Sequence, residues 1–180
     1  MEQKHIVICG RRNSGKTRLF NRLLAACRMP VCGFSTAIVN SRDDGYHEIY
    51  MFPAGRTDFP CTEENHIGDC NMRTRTVNTA VFDDLGVRLL EAQPGGIVAM
   101  DELGFMESGA EAFCARVLEL LDGDIPVLAT AKAGGPEMSF LSRVHHHPKV
   151  ALYEVTEQNA EELYAELLPI IEAWNAALGY

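Results

Sequence analysis

The sequence lacks the features that define several classes of protein. No apolar run in its 180 residues is long enough to span a bilayer, and we see no signal peptide before the first apolar strand. Basic residues are the minority, with 16 Lys and Arg against 25 Asp and Glu, which disfavours binding to nucleic acid or to an anionic membrane. The six cysteines include no Cys-x-x-Cys pair. We therefore expect a reduced, cytoplasmic protein that does not bind membranes.

Internal repeats and low-complexity tracts are also absent, and what remains resembles an ordinary globular protein. Hydrophobic residues make up 47% of the chain and charged residues 23%, a balance that suits one domain over residues 1–180. Apolar runs alternate with helical patterns. This alternation predicts an α/β fold, with a mostly parallel sheet and helices on its faces.

Residues 10–17 carry the most informative pattern in the chain. They read G-x-x-x-x-G-K-T, the motif of a loop that cradles phosphates through its backbone N–H groups and a helix N-terminus. An apolar run at 6–9 precedes the loop and a helix-forming run at 18–26 follows it, which is the context that the motif requires. We take the following residues as the nucleotide-binding set: Gly10, Arg11, Arg12, Asn13, Ser14, Gly15, Lys16, Thr17 and Arg18.

The motif gives particular residues particular roles. Lys16 is expected to place its ammonium group on the β- and γ-phosphates, and Thr17 to offer its hydroxyl to Mg²⁺. Gly10 and Gly15 let the backbone bend tightly around the ligand. Arg11 and Arg12 would either contact the nucleotide or stay solvated, and we favour solvation.

A second group of polar residues ends two predicted core strands. The apolar run at 96–100 leads into Asp101 and Glu102, at the end of a strand where open α/β sheets bind ligands. Asp101 is expected to help hold Mg²⁺, and Glu102 to polarise an attacking water. Thr130 closes the strand predicted over 125–130. It would contact the γ-phosphate or the water, or serve only as a polar strand end.

The remaining patterns predict further elements. The runs at 31–39 and 46–52, separated by a polar loop at 40–45, indicate a β-hairpin. Residues 53–76 are polar and rich in Pro and Gly, and we expect a long loop or lid there. A strand is predicted over 150–155 and a last helix over about 157–178. Apolar spacing predicts a helix with Val77, Val81, Leu85 and Leu89 on one face, and Ser108-Gly109-Ala110-Glu111 has the spacing of a capping box before another helix.

With these motifs in place, the chain is similar to the small P-loop nucleoside-triphosphatases of the cancer-related nucleoside-triphosphatase family. The resemblance rests on residues 10–17, 33–36, 101–107 and 126–130, in matching order along nearly the whole chain. It implies Mg²⁺-dependent hydrolysis of nucleoside triphosphates (ATP, GTP and others) to diphosphate and phosphate. The implied fold is a three-layer, RecA-like core with an added β-hairpin.

The chain departs from that family's pattern at three places. Arg12-Asn13 replaces Pro-Gly inside the loop, although Asn tolerates a left-handed backbone better than most residues. Arg18 replaces a second hydroxyl residue. The family's Asn-Arg pair before the last helix is absent from residues 158–161. We expect base specificity and turnover rate to be affected more than the chemistry.

Several other residues remain open candidates. Arg143, which follows the third core strand, is our candidate for an arginine finger on the γ-phosphate, with Arg56, Arg73 and Arg75 as competitors. Glu107 matches a family acid to which the sequence gives no role. The three histidines at 145–147 lack the spacing and partners of a metal site.

Three functions fit these observations. The leading one is a nucleoside-triphosphate hydrolase, expected to be a monomer. A kinase for a nucleotide or another small molecule is the first alternative, although a water-activating Glu102 argues against it. The second is a nucleotide-binding switch or adaptor with slow hydrolysis. The chain has no Asn/Thr-Lys-x-Asp motif for reading guanine, which weakens a guanine-specific switch.

Overall fold

The protein folds around one eight-stranded sheet. The computed structural model describes residues 4–41, 45–56, 58–71, 73–134 and 139–180. The strands lie in the order β5-β4-β3-β2-β6-β7-β1-β8. They are β1 (His5–Gly10), β2 (Val31–Ser41), β3 (His47–Pro53), β4 (His66–Cys70), β5 (Arg75–Val77), β6 (Ile97–Leu103), β7 (Val127–Lys132) and β8 (Val150–Glu154). The helices are α1 (Lys16–Ala26), α2 (Thr79–Val81), α3 (Val87–Leu89), α4 (Glu111–Asp122), α5 (Phe140–His145) and α6 (Ala160–Ala177).

Five strands, β2, β6, β7, β1 and β8, run parallel, and we call them the parallel half. Strands β1 and β7 are buried almost throughout because helices cover both faces of the sheet. Apolar side chains of α1 and α6 pack on one face, and those of α4 and α5 pack on the other. The expected three-layer core is therefore confirmed. None of the described helices has both the length and the apolar character to cross a membrane.

The other three strands, β3, β4 and β5, pair antiparallel, and we call them the antiparallel extension. The predicted hairpin is confirmed as β2–β3, although β2 continues to Ser41 and residues 42–44 of the predicted loop lie outside the described ones. The prediction of an unstructured loop over 53–76 is wrong for β4 and β5. These strands are short, and pairing makes them strands more than their own sequence does, since β4 pairs with β3 and β5 pairs with β4.

Helix α2 continues into a π-helical turn, Phe82–Gly86, and then into α3. The extra residue in that turn rotates the buried face, so that Phe82, Gly86 and Leu90 are buried. Of the face predicted from the sequence, Val81 is buried, Leu85 and Leu89 are half-buried, and Val77 lies in β5 instead.

The predicted capping box at 108–111 is wrong. Ser108 lies in a 3₁₀ turn, Glu107–Gly109, and Ala110 is the residue that precedes α4. The cap comes from a neighbouring helical segment, because Asp83 Oδ1 accepts a hydrogen bond from the backbone N–H of Phe113 at 3.0 Å. Four apolar residues of α4 are buried: Phe113, Val117, Leu120 and Leu121.

Candidate functional site

A cavity of about 1290 Å³ lies at the carboxyl ends of the parallel strands. The phosphate loop (residues 10–17), the ends of β6 and β7, and parts of β2 and of the antiparallel extension line it. Its size exceeds the range of roughly 300–1,000 Å³ that is usual for small-molecule sites. The two predicted groups of polar residues therefore face one space.

The phosphate loop connects β1 directly to α1, as its motif requires. Gly10 and Gly15 have φ of 152° and 94°, and Asn13 has φ of 63°. Among the described residues, Asn13 is the one non-glycine with a positive φ. Asparagine adopts this conformation more readily than most residues, so Asn13 is compatible with a turn where the family has glycine. A Cβ at Gly10 would lie 2.5 Å from the carbonyl oxygen of Val155, so this position requires glycine.

Lys16 lies at the centre of the loop. Its Nζ donates hydrogen bonds to the carbonyl oxygens of Gly10 at 3.1 Å and Arg11 at 3.0 Å. The side chain is only 6% exposed, and Nζ lies 3.6 Å from Glu102 Oε2. Burial makes charge on this ammonium costly unless anionic groups surround it, which suits it to a polyanionic ligand.

The other loop residues divide into two groups. Arg11, Arg12 and Arg18 are exposed and line the cavity. Ser14 does not line it. The Ser14 hydroxyl is buried and has no hydrogen-bond partner among the described residues.

Asp101 is held by two hydroxyl groups. Thr17 Oγ1 donates to Asp101 Oδ1 at 3.3 Å, and Thr130 Oγ1 donates to the same oxygen. Burial raises the pKa of Asp101, and these two hydrogen bonds and the charge of Lys16 oppose that shift. Thr130 thus orients the carboxylate from β7, the strand that lies between β1 and β6.

Glu102 lies beside Asp101 but faces more open space. Its side chain is 24% exposed, and its backbone N–H donates to Thr36 Oγ1 of β2 at 3.4 Å. The pairing of β6 with β7 shifts register between Met100 and Leu103, so the acids lie at an irregularity in the strand. Lys16, Thr17, Asp101 and Glu102 are thereby brought together.

Glu107 and Lys132 are two further charged residues at the cavity. Glu107 is buried, and its carboxylate accepts a hydrogen bond from the backbone N–H of Gly104. Burial raises the pKa of Glu107, and the charge of nearby Lys132 opposes the shift. Sequence reasoning missed Lys132 entirely. The available signal was a basic residue two positions after Thr130, at the end of a core strand.

The structure does not bring the arginine candidates into this group. Arg143 is exposed on α5 and is not among the described residues that line the cavity. Arg73 and Arg75 are exposed, and Arg56 pairs with Asp58 through Nε and Oδ1 at 2.8 Å. The catalytic role of Arg143 stays a prediction.

The donor set around Thr17 and Asp101 fits a magnesium ion. A hydroxyl and a carboxylate oxygen, 3.3 Å apart, are hard oxygen ligands of the kind that Mg²⁺ prefers. Two protein ligands leave the other positions of an octahedron for phosphate and water oxygens, as is usual for Mg²⁺ at phosphate sites.

The chain is similar to proteins of one known family. The model of a family described as NTPase matches residues 5–168. Nucleoside-triphosphatase THEP1 of Thermotoga sp. strain RQ2 is 27% identical over 177 residues, covering 93% of this chain and 95% of that protein. THEP1 of Thermotoga maritima is 26% identical over 179 residues, with the same coverage.

Solved structures show the same fold. The crystal structure of THEP1 from Aquifex aeolicus superposes with a TM-score of 0.69 at 21% identity, covering 93% of this chain and 99% of that one. The solution structure of a human cancer-related nucleoside triphosphatase gives a TM-score of 0.67 at 21% identity, covering 94% and 98%. Together with the family match over residues 5–168, the motifs and the site show that this chain belongs to the NTPase family of P-loop nucleoside-triphosphatases.

Proposed function

We propose that this protein hydrolyses nucleoside 5′-triphosphates to diphosphate and phosphate with the help of Mg²⁺. The observation that carries the proposal is the distance of 3.6 Å between Lys16 Nζ and Glu102 Oε2. These atoms belong to the cation that would bind the phosphates and to the acid that would activate water. The names of the THEP1 relatives, which call them nucleoside-triphosphatases, support the same activity.

Binding begins at the phosphate loop. Its backbone N–H groups and the N-terminus of α1 attract the phosphate chain, and Lys16 adds a buried positive charge. Lys16 Nζ already has two carbonyl acceptors, Gly10 O and Arg11 O, which keep it at the loop. Exposed Arg11, Arg12 and Arg18 surround the entrance and would attract an anionic ligand over a longer range.

Thr17 and Asp101 would hold the magnesium ion. When bound, the ion would neutralise charge that develops on the phosphate oxygens. Thr130 keeps the Asp101 carboxylate pointed at Thr17, so its hydroxyl acts as a positioning group. The burial of Asp101 strengthens these contacts because the local dielectric is low.

Glu102 would act as the general base. It lies at the cavity, next to the acid that would hold the metal, and its side chain remains partly exposed, so a water molecule can reach it. A positioned general base contributes about 10²–10⁴-fold to a rate.

The test is phosphate release from ATP, GTP, CTP and UTP, with and without Mg²⁺. We expect release from more than one nucleotide, because the resemblance implies loose base specificity and the chain lacks the Asn/Thr-Lys-x-Asp motif that reads guanine. Glu102→Gln should lower kcat by about 10²–10⁴-fold while nucleotide binding persists. Lys16→Ala should weaken binding of the triphosphate. Glu91→Gln, an exposed acid after α3, serves as a matched control with unchanged turnover.

Two results would contradict the proposal. Unchanged turnover in Glu102→Gln would remove the assigned base. Transfer of the phosphoryl group to an added acceptor, without release of free phosphate, would identify a kinase instead.

A further inference from the structure

Lys132 is a charged residue of the cavity that the proposed mechanism does not use. It is the last residue of β7, which lies between the strand of the phosphate loop and the strand of the acids. In the β1–β7 pairing, Lys132 is opposite Gly10, the first residue of the loop. The topology therefore places Lys132 between the two halves of the site.

The side chain of Lys132 extends along the acidic side of the cavity. A Cβ built at Gly104 would lie 3.4 Å from both Lys132 Cδ and Lys132 Cε, and 3.6 Å from Nζ. Gly104 is two residues beyond Glu102, so the ammonium lies on the Glu102 side of the phosphate loop. A nucleotide seated in the loop, with its terminal phosphate towards Glu102, would extend that phosphate in this direction.

Lys132 also shares a sheet face with the groups that surround Asp101. Side chains alternate along a strand, so Lys132 lies on the same face of β7 as Thr130, which bonds to Asp101. Strand β7 thus contributes two polar residues to one site. Thr130 orients the acid, and Lys132 is exposed at the cavity, where a ligand can contact it.

On the basis of the hydrolytic function proposed above, we propose that Lys132 is a catalytic residue that binds the γ-phosphoryl oxygens from the Glu102 side of the phosphate loop. In the reaction, a bond forms between the water oxygen and the γ-phosphorus. The bond from that phosphorus to the bridging oxygen breaks, and Glu102 takes the proton of the water. Lys132 undergoes no covalent change. Its charge offsets the negative charge on the γ-phosphoryl oxygens, the task of an arginine finger.

Lys132 has a simpler alternative role, which is to neutralise buried Glu107. The contacts argue against it. Lys132 makes no ion pair with an acid anywhere in the described parts of the chain, and its Nζ lies 5.9 Å from the centroid of the Phe105 ring. One oxygen of the Glu107 carboxylate accepts a hydrogen bond from the Gly104 N–H. The side chain of Lys132 is exposed in the cavity, where a phosphate can reach it.

The experiment compares Lys132→Ala, Lys132→Gln and Lys132→Arg with the wild-type protein. One readout is kcat for phosphate release. The other is the affinity for a diphosphate and for a non-hydrolysable triphosphate analogue, measured by titration. Arg28→Ala is the matched control, because Arg28 is an exposed cation next to the start of β2, at the opposite end of the sheet.

We expect Lys132→Ala and Lys132→Gln to lower kcat by about 100-fold or more. Affinity for the analogue should fall while affinity for the diphosphate stays constant, because only the triphosphate reaches Lys132. Lys132→Arg, which keeps the charge, should restore most of kcat. Lys132→Gln nearly preserves the side-chain volume, and its unchanged diphosphate affinity would show that the fold is intact.

Two results would overturn the inference while leaving the proposed function in place. One is a kcat within about threefold of wild type in Lys132→Ala, which corresponds to less than 1 kcal/mol. The other is an equal loss of affinity for diphosphate and triphosphate, which would indicate a structural role beside Glu107. By contrast, a wild-type protein that releases no phosphate from any nucleotide would overturn the proposed function, and this inference with it.

Discussion

The two halves of the sheet are built on different principles. In the parallel half, all of β1 is buried, and helices cover both faces. In the antiparallel extension, most residues of β3 are half-buried, and β5 has three residues, of which two are exposed. The first half is stabilised by burial of apolar area, and the second mainly by pairing with its neighbour.

The two halves of the sheet contribute different kinds of residue to the cavity. The parallel half supplies Lys16, Thr17, Asp101 and Glu102, whose positions follow from buried strands. The antiparallel extension supplies only wall residues, among them Ile49 and Ile67. The candidate catalytic residues therefore lie on the half that is more buried, and the wall residues lie on the half that is less buried.

Gly33→Ala should have the largest effect, because it acts on the parallel half. Gly33 has φ of 120°, and an added Cβ would lie 1.8 Å from the backbone oxygen of Ala99 in the paired strand β6. That clash cannot be relieved without separating β2 from β6. We expect the free energy of unfolding to fall by more than about 4 kcal/mol, measured by urea denaturation.

Gly55→Ala is the matched control for this substitution. Gly55 also has a positive φ, 72°, but an added Cβ there would meet nothing within 4 Å. Because no steric clash arises, Gly55→Ala should lower the free energy of unfolding only by the cost of the backbone conformation, roughly 1–2 kcal/mol. Equal losses in Gly33→Ala and Gly55→Ala would contradict the steric argument.

The second largest effect should be the acid sensitivity conferred by His5 in β1. Its Nε2 donates to the carbonyl oxygen of Leu121 at 2.9 Å, and its Nδ1 is buried without a partner among the described residues. Burial is the main cause that lowers the pKa of His5 to about 4, below its ordinary 6.5. Neutral His5 therefore stabilises the fold fully above pH 6.5, and this contribution is lost as the pH falls towards 4.

The full contribution of His5 corresponds to about 3 kcal/mol. Urea denaturation at pH 7 and pH 4.5 should show a larger loss on acidification in the wild-type protein than in His5→Gln, which cannot titrate. Carboxylates that titrate in the same range are common to both proteins and cancel in the difference. The same loss in both would mean that His5 does not control the acid response.

The smallest of these effects should follow Gly68→Ala in the antiparallel extension. Gly68 resembles Gly33, with φ of 145° and an added Cβ at 2.2 Å from the backbone oxygen of Thr76. Here the neighbour is β5, a short edge strand that can separate. We expect a loss of about 2 kcal/mol and faster hydrogen exchange at residues 75–77 only.

If Gly68→Ala unfolded the protein as completely as Gly33→Ala, the expected difference between the two halves of the sheet would be contradicted. That result would show that the extension and the parallel half form one cooperative unit. Exchange at the amides of β1 and β7, which should stay slow in Gly68→Ala, distinguishes the two cases.

The strands of the parallel half could be predicted from the sequence better than those of the antiparallel extension. Strands β1, β6, β7 and β8 were predictable because apolar runs with helical patterns between them have few other folds available. Strands β4 and β5 were not, since a five-residue polar strand with a central Gly68 carries no periodic signal. The cap on α4 was missed for a related reason, because Asp83 reaches it from a different part of the chain.

The residues of the candidate site also differ in how far the sequence could predict them. The phosphate loop and Asp101-Glu102 are local motifs, so their residues could be identified and their meeting foreseen. Lys132 has no motif, and only the pairing of β7 with β1 and β6 places it at the cavity. The position of Arg143 depends on how α5 packs, which the sequence does not encode locally.

Strand β7 lies between β1 and β6 and keeps these two strands apart. Neighbouring strands are about 4.8 Å apart, so the main chains that carry the phosphate loop and the acids are separated by roughly 10 Å. Side chains cross this interval, because Lys16 Nζ lies 3.6 Å from Glu102 Oε2 and Thr17 Oγ1 lies 3.3 Å from Asp101 Oδ1. The width of one strand therefore sets how long the side chains of the phosphate loop and of the acids must be for the two groups to meet.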